Sequence, residues 1–109
     1  MSDKNNSLEQ YLLEQMSKID PTARKSRGSG STGLDIADLV CKDWYIESKQ
    51  KHTKANITVD REKEILKLKD SIPVDTQKEC LWAYENKYGE KYILLEADTF
   101  FRLLNKQGE

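Results

Sequence analysis

The chain of 109 residues lacks several features that would assign it to a particular class of protein. No apolar run approaches the ~20 residues that a membrane-spanning helix needs, so we expect no association with a membrane. The first ten residues, MSDKNNSLEQ, lack the basic and then apolar order of a secretory signal, and we therefore expect a cytoplasmic protein. No segment is repeated. The length predicts one domain over residues 1–109, in which residues 1–6 form a flexible tail.

Histidine and cysteine are scarce. His52 is the only histidine, so it has no second histidine or nucleophile with which to act as a general base, and a surface or DNA-contacting role is favoured. Cys41 and Cys80 lie on apolar segments and do not have the spacing of a metal site. We expect both to be buried free thiols.

Excess positive charge is also absent, since the net charge is -1. This value argues against a protein that coats nucleic acid without specificity. Between Arg24 and Lys54, however, seven positive and four negative side chains give a local excess of three positive charges. A basic band around a few carboxylates is compatible with a ligand that carries phosphate.

What is present is a pattern of alternating helices and strands. The helices are predicted to follow the capping residues Ser7, Asp60 and Asp98 or Thr99, and the first two to end at Asp20-Pro21 and Pro73. Strands are predicted over Leu34–Cys41, Trp44–Lys49, Ile57–Val59, Cys80–Tyr84 and Lys91–Glu96. The order predicts an α/β (α+β) fold, a small mixed β-sheet flanked by helices.

Three segments between or beside the strands are informative. Lys42-Asp43 fits a two-residue turn between the first two strands. The segment Arg24–Gly33, RKSRGSGSTG, is a basic loop rich in glycine and serine, and a loop of this length in so small a domain more often has a function than serves as a linker. The helix DREKEILKLK after Asp60 is interpreted as an amphipathic cover helix rather than as a reader of nucleic acid.

The stretch GLDIADLVCKDWYIESKQK places acids and a lysine inside predicted strands. Glu47 and Lys49 are two residues apart and therefore point to the same face. If the two strands pair through the short turn, Asp35 lies close to Glu47 or Lys49. Two carboxylates beside an ammonium form a Mg²⁺ site, in which the lysine orients or deprotonates the attacking water and offsets phosphate charge. Asp38 is an alternative ligand to Asp35 if a β-bulge exchanges their faces.

A single E-x-K triplet is most often an ordinary surface pair, and this chain has a second one at Glu85-Asn86-Lys87. The second triplet runs directly into Tyr88-Gly89 and is therefore expected at a turn. Only the Glu47 triplet ends a Trp-Tyr-Ile strand and follows both a strand-borne aspartate and a basic loop. The position of the Glu47 triplet on a predicted strand therefore favours it as the catalytic triplet.

Together these features resemble the PD-(D/E)xK nuclease superfamily: a first helix with glutamate, a basic Ser/Gly loop, then "GLDI" and "YIESK". Within it the chain is most similar to Holliday-junction resolvases of archaeal and phage type, and "EKYILLEADTFFRLL" resembles the last strand and helix of phage-encoded members. The resemblance spans about Leu8 to Leu104, and the twelve-residue step from Asp35 to Glu47 is in the superfamily's range. Leu34 stands where the superfamily's name has proline.

The resemblance implies a restriction-endonuclease-like core with a catalytic site that uses Mg²⁺, for which Mn²⁺ can substitute. Asp35 and Glu47 would bind the metal together with the Ser48 carbonyl, and Lys49 would be the catalytic lysine. Glu9 would complete the site, with Glu14 as the alternative. The residues expected to contact the DNA backbone are Arg24, Lys25, Arg27, Ser29, Gln50 and Lys51.

The function that the resemblance implies is a structure-selective DNA endonuclease that resolves four-way junctions, in the host cytoplasm if the gene belongs to a phage. Two symmetric cuts need two active sites, so a homodimer is expected, with its apolar interface on the hairpin or on the last helix. Two alternatives remain open. One is a nicking, repair or restriction-like nuclease for duplex or flap DNA, and the other is a non-catalytic binding module with the same fold.

Overall fold

The computed structural model describes residues 2–25, 37–72 and 78–107, and it confirms the predicted mixed α/β class. The helical elements are α1 (Ser2–Ser17), a π-helical turn (Arg61–Leu66) that continues into α2 (Lys67–Ser71), and α3 (Ala97–Gln107). The strands are β1 (Arg24–Lys25), β2 (Leu39–Val40), β3 (Trp44–Lys51), β4 (Glu79–Asn86) and β5 (Lys91–Leu94). We call Arg61–Ser71 as a whole the crossover helix.

The strands form one sheet in the order β1-β2-β3-β4-β5. β3 and β4 run parallel along their whole length, and the other neighbours are antiparallel. Parallel neighbours cannot be joined by a tight turn, so the chain leaves β3, passes through the crossover helix and returns as β4. The indole Nε1 of Trp82 on β4 donates to the Glu64 carbonyl at 2.9 Å, which fixes the crossover helix to the sheet.

Each face of the sheet has its own apolar cluster. The cluster on the α1 side contains Leu8, Leu12, Leu39, Cys41, Ile46 and Ala83. The cluster on the side of the crossover helix contains Ala37, Leu68, Trp82 and Tyr84, and Tyr45 packs against it. Because neighbouring strand residues alternate between faces, Ile46 faces α1, whereas Tyr45, Glu47 and Lys49 face the crossover helix.

Several predicted boundaries are wrong. α1 begins at Ser2 rather than after Ser7, and Arg24–Lys25 is a short strand rather than loop. The predicted strand Ile57–Val59 has no regular structure, and its Thr58 carbonyl accepts from the Lys51 ammonium instead of from a neighbouring strand. α3 begins at Ala97, so the predicted caps Asp98 and Thr99 lie inside its first turn, and the Thr99 hydroxyl donates to Glu79 at 3.2 Å.

The two cysteines are free thiols, as predicted, with Cys41 buried and Cys80 half-buried. Burial raises the pKa of Cys80 to about 11 and also raises that of Cys41, so both thiols stay protonated and unreactive. Of the helices that the structure describes, none is both long and apolar enough to cross a membrane.

Candidate functional site

Asp38 and Glu47 lie close together beside the β2–β3 pair. Asp38 immediately precedes β2, which pairs with β3 through Leu39 opposite Ile46. The Glu47 carboxylate accepts from the Asp38 backbone amide and is within reach of the Asp38 charge. The backbone amide and the hydroxyl of Ser48 both donate to Oδ2 of Asp38, at 2.8 and 3.0 Å. These bonds hold the Asp38 carboxylate against β3, and within the described residues nothing donates to its other oxygen.

The Glu47 carboxylate is half-buried, and the positive charge of the nearby lysines is too small to offset the cost of its burial. Burial is the main reason that its pKa rises from the ordinary 4.5 to about 7, and the negative charge of Asp38 adds to the rise. Lys49, Lys67 and the backbone amide of Asp38 act in the opposite direction without cancelling the effect of burial. A bound cation would offset this cost, because it favours the ionised form of both carboxylates.

Lys49 lies next to this carboxylate pair. Its Nζ is 3.9 Å from Oε2 of Glu47, and its side chain is 45% exposed compared with 26% for Glu47. The contact agrees with the prediction that residues two apart on β3 share a face. The ammonium therefore reaches both the carboxylate and the solvent, where a ligand would approach.

Of the two acids considered on α1, Glu9 is the one near the site. Glu9 is half-buried, and burial raises its pKa, as does the negative charge of Asp38, whereas the charge of Lys25 lowers it. Glu14 is exposed and accepts a hydrogen bond from Gln10 at 3.4 Å. The helix thus brings one acid toward Asp38 and turns the other into solvent.

A small cleft of about 50 Å³ opens beside Glu47, between β3 and the crossover helix. Its wall is made by Glu47, Lys49, Lys63, Glu64, Lys67, Leu68 and Ser71. A wider depression of about 530 Å³ shares four of these side chains: Lys49, Lys63, Glu64 and Lys67. Glu47 is therefore reached from solvent through a cleft whose lining includes Lys49, Lys63 and Lys67.

Some of the predicted site residues fall where nothing is described. Asp35, Arg27 and Ser29 lie outside the described residues, so their assigned roles stay predictions. Arg24 and Lys25 lie on β1 at the edge of the sheet, and Nη1 of Arg24 donates to the Lys25 carbonyl at 3.3 Å. Lys25 is close enough to Glu9 for its charge to lower the pKa of that acid.

Lys51, which was expected to contact the DNA backbone, is used inside the protein. Its ammonium donates to the Thr58 carbonyl and lies 3.8 Å from Oε2 of Glu64. It also lies over the Tyr84 ring, 5.4 Å from the centroid. These contacts hold the connection after β3 and the crossover helix against the sheet, and a phosphate would have to compete with them.

Gln50 and the second E-x-K triplet form a separate polar network on the α1 face of the sheet. The Gln50 amide nitrogen donates to Ser7 Oγ at 2.7 Å and to Oε1 of Glu85 at 3.1 Å. Glu85 is 9% exposed, and its Oε2 lies 3.7 Å from His52 and 4.0 Å from Lys91. This triplet ends β4 at a turn, as predicted, and its glutamate is paired with residues outside the triplet.

The donor set fits a hard divalent cation. Among the residues that the structure describes, no group of three or more histidine, cysteine, aspartate or glutamate side chains is placed to hold a metal ion. Mg²⁺ does not require such a group, because it usually keeps several waters and takes one or two carboxylates together with substrate phosphates. Asp38 and Glu47 supply two adjacent carboxylates of this kind, and Mn²⁺ suits the same oxygen ligands.

The sequence contains a signal that Asp38 is the partner of Glu47. The alternation of apolar residues alone does not reveal it. The amide of Cys41 donates to the Trp44 carbonyl at 2.9 Å and closes the predicted turn at Lys42-Asp43. Three steps outward from this closed pair lead to Asp38 on one strand and to Glu47 on the other. The register therefore favours the alternative ligand, Asp38, as the partner of Glu47.

Lys63 and Lys67 are the site residues that the sequence analysis missed. An amphipathic pattern shows which side of a helix is polar, but it does not show that this side adjoins a carboxylate on β3.

Comparison of the chain with protein-family models, with curated proteins and with solved structures finds no match.

Proposed function

We propose that this chain is a Mg²⁺-dependent DNA endonuclease that resolves four-way junctions, the activity implied by its resemblance to PD-(D/E)xK junction resolvases. The observation that carries the proposal is the proximity of Asp38, which is hydrogen-bonded to Ser48, to Glu47 on β3, with Lys49 beside Glu47. Two carboxylates and an ammonium are the groups that metal-assisted phosphodiester hydrolysis uses. Glu9 adds an acid from α1 next to Asp38.

Each of these groups has a defined part in the hydrolysis. Asp38 and Glu47 would hold the metal, the Ser48 carbonyl is the further ligand that the resemblance implies, and the Ser48 amide and hydroxyl keep the Asp38 carboxylate in place. When bound, Mg²⁺ supplies Lewis-acid activation of the phosphate and lowers the pKa of a coordinated water. The Lys49 ammonium donates to the attacking water or to a phosphate oxygen and offsets the charge that develops there.

Local positive charge supports DNA as the substrate. The net charge of -1 gives no general attraction to nucleic acid, so binding must come from basic residues near the site. Lys25 on β1 lies near Glu9, and Arg24 precedes it on the same strand. The proposal keeps Arg27, Ser29 and Gln50 as further backbone contacts.

Two coordinated cuts require two active sites, so the proposal includes a homodimer with one site in each copy. The described surface offers apolar side chains that a second copy could cover. On α3, Phe100, Phe101 and Leu104 are exposed by 44, 63 and 48%. Large exposed apolar side chains that adjoin one another are typical of interaction surfaces.

The test is cleavage of a labelled synthetic four-way junction in Mg²⁺ by the wild type and by Glu47→Gln. We expect paired nicks near the crossover from the wild type and at least a hundredfold slower cutting by the variant, because the amide is a weaker metal ligand than the carboxylate. Glu14→Gln is the matched control, since it removes an exposed acid from α1. Glu85 is a poorer control because its carboxylate is buried in the Gln50 network.

The outcomes separate the proposal from its alternatives. If linear duplex or flap DNA is cut faster than the junction, the protein is a nuclease whose preferred substrate is not the four-way junction. Cleavage that survives Glu47→Gln would remove the site from the mechanism. If no branched or linear DNA is cut in Mg²⁺ or Mn²⁺, the chain is a binding module rather than an enzyme.

A further inference from the structure

Three ammonium groups converge on the cleft beside Glu47, and only one of them belongs to the E-x-K triplet. Lys49 extends from β3, and Lys63 and Lys67 extend from the crossover helix on the other side of the cleft. The charge of Lys67 lowers the pKa of Glu47, which places its ammonium within electrostatic reach of the carboxylate pair. Lys63 and Lys67 have no part in the proposed Mg²⁺-dependent hydrolysis at Asp38 and Glu47.

Two of the acids near these lysines, Asp60 and Glu64, are engaged in contacts within the protein. Oδ1 of Asp60 accepts from the backbone amides of Glu62 and Lys63, at 3.0 and 3.1 Å, and so caps the crossover helix. Glu64 has a side chain that is 10% exposed, and its Oε2 accepts from the Asp60 amide at 2.8 Å and lies 3.8 Å from Lys51. Glu62 also lines the wider depression and is exposed, and Oε1 of Glu64 has no hydrogen-bond partner among the described residues. The depression therefore presents three lysines and three acids, of which Asp60 and Glu64 are held by the protein's own backbone or by Lys51.

The two lysines of the crossover helix, in contrast, remain available. Within the described part of the chain, no carboxylate lies within 4.0 Å of the ammonium of Lys63 or of Lys67. An anion that enters the depression in front of them would meet two ammonium groups without displacing an existing ion pair. Anionic ligands with more than one oxygen acceptor are the complementary class, and phosphate groups belong to it.

The helix that carries the lysines is anchored at its π-helical turn, Arg61–Leu66. π-helical turns are rare and are frequently found at functional sites. Glu64, on this turn, is bound to the sheet through Lys51 and through the indole of Trp82. Lys63 precedes Glu64 by one residue, and Lys67 begins the α-helix that follows. Both lysines therefore extend from a fixed backbone.

We propose that Lys63 and Lys67 bind a phosphate of the DNA strand next to the one that is cut. This inference rests on the proposed function and deepens it by assigning a second phosphate site. Lys49 acts at the scissile phosphate, and the two helix lysines hold the neighbouring phosphodiester so that the strand runs along the cleft. The crossover helix is then a DNA-binding element, contrary to its interpretation from sequence as a cover helix.

The first test measures binding of a fluorescent four-way junction in EDTA, which prevents cutting, over a series of KCl concentrations. We expect Lys63→Gln and Lys67→Gln each to weaken binding by about five- to tenfold and to reduce the slope of log K against log salt by about 0.9, the value for one lost phosphate contact. Lys69→Gln is the matched control, because Lys69 lies on the same helix and pairs with Glu96 at 2.8 Å. It should leave the affinity within twofold of the wild type and the slope unchanged.

A second measurement locates the phosphate. A junction with one uncharged methylphosphonate linkage beside the cut position should bind the wild type less tightly than the unmodified junction does. Lys67→Gln should show no further loss with the modified junction, because the same contact has been removed from the other side. Lys67→Arg should restore most of the binding, since it keeps the positive charge. A role in stability alone would predict no such rescue.

The result can separate this inference from the proposed function. If the wild type cuts the junction and the helix lysine variants bind as Lys69→Gln does, the second phosphate site is wrong and the nuclease stands. If Lys67→Gln and the methylphosphonate weaken binding independently, the lysine contacts a different phosphate and the assignment is overturned. If the wild type neither binds nor cuts any DNA, both ideas fail together.

Discussion

The ionised carboxylate of Glu47 is required by the proposed metal site, but it lowers the stability of the fold. Burial and the neighbouring charge of Asp38 raise its pKa from 4.5 to about 7. Between these values the folded protein keeps a proton that the unfolded chain has released. The resulting contribution to stability is therefore complete below about pH 4.5 and is lost as the pH rises through about 7.

We expect Glu47→Gln to be more stable than the wild type at pH 8 by about 1–2 kcal/mol, a value discounted for the partial exposure of the side chain. The reason is that the amide carries no charge to be desolvated. Near pH 4.5 the difference should vanish, because the wild-type carboxyl is then protonated in the folded state. Thermal unfolding in EDTA at the two pH values measures this, and an equal difference at both would contradict the buried-carboxylate argument.

Glu9 and Glu14 form a second comparison at the scale of single residues, since both are acids of α1 and Glu9 is the one whose pKa is raised by burial and by the charge of Asp38. We expect Glu9→Gln to raise the Mg²⁺ concentration needed for half-maximal cleavage by about tenfold, the effect typical of removing a group that supports a metal ligand. Glu14→Gln should leave it unchanged. The measurement is the cleavage rate as a function of Mg²⁺ concentration. If both variants need the same Mg²⁺ concentration for half-maximal cleavage, Glu9 is not part of the site.

The sequence predicts some of these residues and not others for definite physical reasons. Glu47 and Lys49 follow from the alternation of a strand, which is a local property. The pairing of Asp38 with Glu47 follows from the turn at Lys42-Asp43, but only when register is counted from it. The choice of Glu9 over Glu14 depends on how α1 is rotated against the sheet, which is a tertiary property that no local pattern contains.

At the scale of elements, the connection between β4 and β5 depends on one buried amide. Asn86 is 2% exposed, and its Nδ2 donates to the Ala55 carbonyl at 3.0 Å and to Glu90 at 2.8 Å. Its Oδ1 accepts from the backbone amides of Tyr88 and Glu90, both at 3.0 Å. The side chain thus closes the turn and ties it to the segment before the crossover helix.

We expect Asn86→Ala to lower the free energy of unfolding by about 2–4 kcal/mol, because it leaves several backbone groups of the turn without partners. Asn56→Ala is the control, since Asn56 is exposed on the neighbouring segment, and it should change stability by less than about 0.5 kcal/mol. Urea unfolding of the three proteins gives the comparison. A loss of equal size in the two variants would show that the hydrogen bonds of Asn86 are not the cause.

The elements that were wrongly predicted share a cause. Ile57 and Val59 alternate like a strand because both pack against the cluster on the crossover-helix side, although their backbone joins no strand. The polar side chains of Arg24 and Lys25 favour a loop, yet these residues pair with Val40 and Leu39 at the edge of the sheet. The pattern of apolar side chains shows which residues are buried. Whether a segment is a strand depends instead on whether another backbone lies next to it to form hydrogen bonds, and at the ends of small sheets the two criteria can disagree.

At the scale of the whole molecule, α3 presents apolar side chains to solvent while it is attached to the body through polar ones. Arg102 and Thr99 bind the Glu79 carboxylate, with Arg102 Nη2 at 2.7 Å from Oε1. Phe101 and Leu104 are exposed by 63 and 48%. An apolar stripe of this kind can pair with the same stripe of a second copy about a two-fold axis, because it is complementary to itself.

If the junction is cut in pairs, the stripe on α3 should hold the two copies together. We expect the wild type to sediment at twice the monomer mass of 12.6 kDa and Phe101→Glu to sediment as a monomer, because a charge at the centre of an apolar contact would be buried without a partner. Ile19→Glu is the control, since Ile19 is 78% exposed on the segment after α1. The monomer should still nick the junction, but its two cuts should become independent events. A wild type that is monomeric at micromolar concentration, or an equal effect of Ile19→Glu, would show that α3 is not the interface and that paired cutting has another origin.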